Sequence, residues 1–315
     1  MEKITFLGEP SQDLKNFCLE NKNLFKRILL LPDSHPGKAL PVGFVGITED
    51  FFYPGAFGND IGCGISVYSL RFKQKNVNWK KLFNCLLHKI KIKNKTSREQ
   101  LGTLGQGNHF LEIGSLGQEL YLFIHTGSRT EGAKYNKKLS VFEKQKTKKE
   151  FDSFLTLVDY AEKNRAKLFE LFLEQGLNLG LYSWKKIQEK NHNWIEKVAK
   201  NVYIHRKGAI KLVPGETFFL PLNMEEGFLV GKIEKPLVLD SFCHGAGRKI
   251  RRKECTFSYL KLLKRLDKQK ILIPKFKQLV EESSEAYKSK EELLPYFGER
   301  ITVLGQTKVL LSIKG

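Results

Sequence analysis

No run in this chain of 315 residues approaches the roughly eighteen consecutive apolar residues that cross a bilayer. The opening stretch MEKITFLGEPSQD lacks the order of cationic, apolar and small residues that marks a secretory signal, so a cytoplasmic location is expected and a membrane partner is not. Cysteine is scarce and odd in number. Cys18, Cys63, Cys85, Cys243 and Cys255 are widely spaced in a chain too large to need staples, which argues against a disulfide framework and leaves thiolate chemistry as the use for any cysteine that matters. No internal repeat or low-complexity linker is present. Nor is the P-loop pattern of glycine, four residues, then Gly-Lys-Ser/Thr.

What the chain has in quantity is apolar bulk and positive charge. Apolar residues make up 41% of it and include 23 Phe, enough for a substantial core. A formal net charge of +20 makes a polyanion the default partner, because Lys and Arg that neutralise phosphates release condensed counterions. The spacing predicts an amphipathic helix over DLKNFCLENKNLF and a buried strand over KRILLLP ending at Pro32. Further strands are predicted over ELYLFIH, ending at His125, and KPLVLDSF, ending before Cys243. Three-to-four spacing predicts helix between residues 151 and 200, over FDSFLTLVDYAEKNRAKLFELFLEQ and again over SWKKIQEKNHNWIEKVAKN. A strand-rich stretch from Val202 to Ile233 and a helix over SYLKLLKRLDKQK follow. Strands and helices mix without regular alternation, which disfavours a doubly wound sheet and predicts an α+β fold, a single mixed domain over residues 1–315.

Five of the seven histidines have neighbours that point to chemistry. His35, His109, His125 and His244 each stand within two residues of a glycine, the residue that lets backbone approach a ligand closely, and His192 lies in KNHNW. Asp60 and Cys63, in GNDIGCG, add a carboxylate and a thiol. Together Asp60, Cys63, His109, His125 and His192 offer the oxygen, sulfur and nitrogen donors that divalent transition ions take; five donors exceed the needs of one tetrahedral ion and suggest an open or two-metal site with a bridging thiolate. On donor type alone zinc would be favoured. GQGNHF and CHGAGRKIRR are glycine-rich turns able to cradle oxyanions, the second followed by Arg248, Arg251 and Arg252, and a histidine in such a turn can act as a nucleophile toward phosphorus.

Several stretches together resemble one family, the RtcB-type RNA-splicing ligases: LPDSHPGKALPVGFVG, NDIGCG, LGTLGQGNHFLEI, IHTGSR, NHN, HRKGAI, CHGAGR, AYK and the final IKG, spanning residues 31–315 in the family's order. The resemblance implies an RtcB-like fold with β-sheets lining a central cleft and helices outside. It implies that Asp60, Cys63, His109, His125 and His192 hold two Mn²⁺ ions and that His244 is guanylylated by GTP. It gives Asn108, Glu112, Tyr287 and Lys314 to the nucleotide, Gly245, Ala246 and Gly247 to its phosphate side, and Arg129 and Arg252, with Arg248 beside them, to RNA phosphates. The implied reaction opens a 2′,3′-cyclic phosphate to a 3′-phosphate, moves GMP from His244 to that phosphate, and seals it to a 5′-hydroxyl end, as in tRNA splicing or RNA repair. RNA is the expected partner and a monomer the expected state, with an activating protein partner left open.

The chain departs from the family pattern in being short between Asp60 and His109 and between His125 and His192, in carrying Ser34 within PDSH, and in carrying Glu216 within VPGETFF. The resemblance puts that last loop beside the nucleotide, so Glu216 bears on guanine selectivity. Two alternatives to ligation stand beside this reading: a metal-dependent phosphodiesterase that opens cyclic phosphates only, and a non-catalytic RNA-binding relative. Plainer readings apply to His88 as a surface or packing histidine on a helix and to Cys18, Cys85 and Cys255 as small hydrophobes in helical patterns. His205 is open between structure and ligand binding, and Cys243 is expected to help shape the pocket.

Overall fold

In this computed structural model, residues 3–37, 39–73, 77–96, 101–105 and 107–315 are described. Lys38 and Gln106, inside two of the motifs above, lie outside them. The chain begins with β1 (Ile4–Phe6), α1 (Gln12–Glu20), β2 (Arg27–His35), β3 (Val42–Glu49), β4 (Gly64–Phe72) and α2 (Trp79–Thr96). It continues through β5 (Phe110–Leu116), β6 (Glu119–Thr126), α3 (Thr130–Asn136), α4 (Lys148–Leu177), β7 (Leu181–Asn191), β8 (Asn193–Ala199), β9 (Val202–Lys207) and β10 (Ala209–Lys211). Last come β11 (Thr217–Asn223), β12 (Gly227–Ile233), β13 (Ser241–Cys243), α5 (Tyr259–Gln269), α6 (Lys290–Leu293), β14 (Ile301–Gln306) and β15 (Lys308–Lys314). No helix among the described residues is long and apolar enough to cross a membrane.

Two five-stranded sheets carry the architecture, in the orders β1-β2-β3-β9-β8 and β15-β5-β6-β4-β7, with smaller β11-β12-β14 and β10-β13 sheets beside them. The β15-to-β7 sheet is sandwiched. One face meets α2 and α4 through Leu82, Leu86, Leu168 and Phe172 against Tyr68, Leu111 and Leu122. The other face meets β11 and β12, with Phe123 stacked on Phe228 at 3.7 Å between ring centroids. β8 is an edge of the first sheet and β7 an edge of the second, and a single residue, His192, joins them. The α+β expectation is met, with helices outside and sheets within.

The reading of SWKKIQEKNHNWIEKVAKN as helix is wrong: those residues form β7 and β8. Tyr182 to Ile187 are all exposed, so this edge strand shows none of the in-out alternation that marks a half-buried strand, and its scattered large apolar residues imitate helical spacing. β2 runs past Pro32 to His35, and its pairing register with β3 shifts between Leu30 and His35. KPLVLDSF is irregular at its start and passes through a 3₁₀ turn at Val238–Asp240, where Leu239 and Asp240 take left-handed backbone; only Ser241–Cys243 is strand. Cys255 follows a 3₁₀ turn at Arg252–Glu254 and is not helical. His88 is exposed on α2, as expected. His205 proves structural: it is fully buried, accepts at Nε2 from the Tyr53 N–H at 2.9 Å, donates from Nδ1 to the Gly46 carbonyl, and lies parallel to Phe57.

α4 opens with a capping box between Thr147 and Glu150, then buries Phe154, Val158, Ala161, Arg165, Leu168 and Phe172 along one stripe at three-to-four spacing. The stripe presses on the turn before β4. At Gly62, φ is +71°, and a Cβ would fall 2.8 Å from the Val158 Cα and 3.0 Å from the Ala161 Cβ. Gly62→Ala is therefore expected to cost about 2–4 kcal/mol, combining left-handed strain with overpacking, read as a denaturant midpoint shift. Gly117→Ala, with φ +59° and open space around it, should cost only the left-handed strain, about 1 kcal/mol. Equal costs would mean that the α4 contact contributes nothing.

Candidate functional site

Asp60 and Cys63 sit on the turn that delivers the chain into β4, closed by the Cys63 N–H donating to the Asp60 carbonyl at 3.3 Å. His109 stands just before β5, His125 near the end of β6, and His192 between β7 and β8. The structure brings all five side chains together. His109 Nε2 lies 2.8 Å from Asp60 Oδ2 and 3.5 Å from Cys63 Sγ, and His125 Nε2 lies 3.3 Å from the same sulfur. Donor atoms of Asp60, Cys63 and His109 all fall within 4.8 Å of one another, as do those of Cys63, His125 and His192; the two triads share the sulfur.

Neighbouring carbonyls fix which nitrogen each ring presents. His109 Nδ1 donates to the Leu104 carbonyl at 2.9 Å and His125 Nδ1 to the Asn108 carbonyl at 3.1 Å, which turns both Nε2 atoms to the centre, an arrangement common to metal-binding histidines. His192 Nδ1 is buried with no hydrogen-bond partner. Burial above all, then neighbouring imidazoles, pushes His125 and His192 well below the usual histidine range and keeps them neutral, as cation ligands must be. Burial would raise Asp60, but His109, Cys63 and the Arg129 amide together hold it well below the carboxylate range. Burial and then Asp60 push the Cys63 thiol well up, so without a cation it keeps its proton. This donor set fits a pair of divalent cations, which would draw that proton off.

His244 forms the opposite wall. Its Nδ1 donates to Asp33 Oδ2 at 2.7 Å and its own N–H to the same oxygen at 3.1 Å, which turns Nε2 free. Asp33 is fully buried on β2, and Lys288 ties the flanking carbonyls of Pro32 and Ser34. Gly247 has φ +75°, and a Cβ there would strike the Asp33 carbonyl, so the CHGAGR turn can lie on β2 only with glycine. Ring centroids of His109, His125, His192 and His244 follow one another at 5.3, 5.2 and 5.0 Å.

A cavity of about 230 Å³ opens beside these rings. Asn108, Glu112, Gly245, Ala246, Gly247, Tyr287 and Lys314 all line it, as do Arg248 and Arg252. Lys314 lies 4.5 Å above the Phe110 ring. Arg248 Nη1 donates to the Tyr287 hydroxyl at 3.0 Å, and Arg252 pairs with Glu282 at 2.8 Å. Arg129 is not in the lining; its guanidinium donates to the Thr103 carbonyl at 2.9 Å and packs over Gly105. Glu216 also stands apart, paired with Lys190 at 2.8 Å. The cavity is lined instead by the other end of β11 and its hairpin, from Pro221 to Phe228. Sequence reasoning missed Asp33, Lys207, Asn193 and Glu282. An acid at the end of the apolar run RILLLP, two residues before His35, was the available signal for Asp33.

A family model described as tRNA-splicing ligase RtcB matches residues 18–96, 87–156 and 141–307. The chain is similar to the RNA-splicing ligase RtcB2 of Escherichia coli strain ATCC 25922, at 26% identity over 85% of this chain and 82% of that one. It is also similar to the RNA-splicing ligase RtcB of Escherichia coli K12, at 23% over 93% and 91%. The tRNA-splicing ligase RtcB of Methanococcus maripaludis matches at 26% over 62% and 55%.

Glu112 yields a test of the cavity's electrostatics. It is buried, its Oε1 has no hydrogen-bond partner, and burial lifts its carboxyl from 4.5 to about 7 against the pull of Lys314. A carboxyl raised on folding stabilises the protein fully at pH below its unfolded value, and that contribution is lost as pH rises through about 7. The difference in unfolding free energy between Glu112→Gln and wild type should therefore change by roughly 3 kcal/mol between pH 4 and 8, in favour of the variant at the alkaline end. A flat difference across that range would show that Glu112 titrates normally.

Proposed function

The chain belongs to the tRNA-splicing ligase RtcB family, and from that premise we propose that it is a GTP- and Mn²⁺-dependent RNA ligase joining 2′,3′-cyclic phosphate or 3′-phosphate ends to 5′-hydroxyl ends. The observation that carries this reading is the pairing of His244 Nδ1 with buried Asp33, which leaves Nε2 bare, 5.0 Å between ring centroids from the candidate ligand His192. A neutral, oriented imidazole is the form that attacks phosphorus.

Two Mn²⁺ held by Asp60, Cys63, His109, His125 and His192 would neutralise phosphate charge and align the displaced groups in line. His244 Nε2 forms a bond to the α-phosphorus of GTP as the bond to pyrophosphate breaks. Asp33 holds the Nδ1 proton and balances the charge that develops on the ring. Gly245, Ala246 and Gly247 let the phosphate approach the backbone beside His244, while Asn108, Glu112, Tyr287 and Lys314 receive the nucleoside. GMP then passes to the RNA 3′-phosphate, and the incoming 5′-hydroxyl forms the new phosphodiester as GMP leaves. Arg248, Arg252 and Arg129 would steady the RNA phosphates, Arg129 only after releasing Thr103. The chain would act on tRNA halves or other broken RNA as one catalytic domain over residues 1–315, and as a monomer.

Incubation with Mn²⁺ and GTP labelled at the α-phosphate should leave an acid-labile label on wild type and none on His244→Ala. Asp33→Asn should slow labelling by about 10²-fold or more, because the ring loses the partner that fixes its tautomer and orientation. Equal labelling of His244→Ala would remove the proposed nucleophile. Opened cyclic phosphate without joined RNA would favour the phosphodiesterase alternative.

A further inference from the structure

We propose that Asn164 and Arg165, adjacent residues near the middle of α4, are positioning residues that hold the metal-ligand segments in register from behind. Arg165 is 0% exposed yet carries a permanent charge, and such burial is tolerated only where hydrogen bonds satisfy the group. Its Nη1 donates to the Gly62 carbonyl at 3.0 Å and the Thr126 carbonyl at 2.6 Å; its Nη2 donates to Asn191 Oδ1 at 2.6 Å and its Nε to Glu189 Oε1 at 2.6 Å. Three of these acceptors stand one residue from a candidate ligand: Gly62 beside Cys63, Thr126 beside His125, and Asn191 beside His192.

Asn164 holds the remaining arm. Its Oδ1 accepts from the Gly102 and Thr103 N–H groups at 2.8 and 3.2 Å, and its Nδ2 donates to the Thr103 carbonyl at 3.0 Å and to Thr126 Oγ1 at 3.3 Å. The loop it grips includes Leu104, whose carbonyl orients His109. The two side chains thus reach the segments of four of the five candidate ligands, and none of these bonds lies in the cavity.

Geometry explains why a guanidinium suits this place. Gly64 pairs with Thr126 on one side and Asn191 on the other, so three strands stand in one row at the position Arg165 reaches. Successive residues of a strand point to opposite faces, so a slip by one would turn a ligand away from the centre. A rigid planar fork with several donors can fix three strands at once; an ammonium is a single point of charge.

The inference rests on the proposed metal-dependent function, and its test needs neither GTP nor RNA. Arg165→Lys keeps the charge and loses the fork. Its affinity for Mn²⁺, measured by calorimetry, should fall on the order of 10- to 100-fold, the range typical for partners that orient metal ligands. With Co²⁺ as probe, the thiolate-to-cobalt absorption band should weaken, while metal-free protein still unfolds cooperatively. A residue with only a structural role would lower the melting temperature and leave both metal readouts unchanged, and that result overturns the inference. Should Arg165→Lys fail to fold, Asn191→Ala removes the acceptor beside His192, together with the bond its Nδ2 donates to Glu162 Oε1 at 2.7 Å, and should weaken Mn²⁺ binding by about 10-fold; unchanged affinity there counts equally against it. Wild-type protein that takes up neither Mn²⁺ nor Co²⁺ would sink the functional reading along with this one, whereas wild-type uptake matched by Arg165→Lys sinks this one alone.

Discussion

The site depends on one joint in the backbone. His192 is the single residue between β7, an edge of one five-stranded sheet, and β8, an edge of the other. Its N–H donates to the Cys63 carbonyl at 2.7 Å and its carbonyl accepts from the Ala209 N–H at 3.2 Å. Next to it, Asn193 accepts from the Gly62 N–H, donates to the Asp60 carbonyl and accepts from the Gly208 N–H. A residue in ordinary strand pairing would spend its backbone groups within one sheet; here they sew two sheets together at the turn that carries Asp60 and Cys63. The His192 ring consequently faces the Cys63 side and the His244 side at once.

Electrostatics follow from that closeness. Four imidazoles in a row could not all be charged, and burial beneath two sheets settles the matter for His125 and His192 by making the neutral form the stable one. Carbonyl or carboxylate acceptors receive hydrogen bonds from Nδ1 of His109, His125 and His244, so the nitrogen each ring turns to the cavity is fixed by the placement of those acceptors. Positive charge stands close to this centre, with Arg165 behind it and Lys207 in the cavity wall, and both help keep His192 neutral. Cations delivered to such a site meet donors already oriented, with little reorganisation left to make.

Much of this was legible in the sequence where chemistry and local pattern coincide. Glycine beside His109, His125 and His244 marked backbone built around something, and α4 was readable from its long apolar stripe. β7 and β8 were not, because an edge strand with most side chains in solvent has no alternation to read, and that loss hid the joint at His192 although the residue itself was singled out. Asp33 was hidden for the converse reason: it sits in an apolar run whose pattern announces core, and only the third dimension shows that its carboxylate faces a residue 211 positions away. Loop VPGETFF misled through motif position alone, since a hairpin can present either end to a cavity and the sequence does not say which.

The two walls of the cavity rest on different cores, and this division has a chemical consequence. Asp33, Cys243 and the CHGAGR turn are held by the cluster around Leu29, Leu31, Val45, Phe218 and Phe242. The segments of Cys63, His125 and His192 are backed by the sheet that packs on α4 through Leu168, Phe169 and Phe172. His244 on one body and the cluster of candidate metal donors on the other can each be made rigid separately, and their separation is then set where the bodies meet, at His192 and Asn193. The proposed ligation would need that separation to suit several displacements at phosphorus in turn. One backbone joint between two packed sheets provides a fixed spacing without placing His244 and the candidate metal donors on the same element.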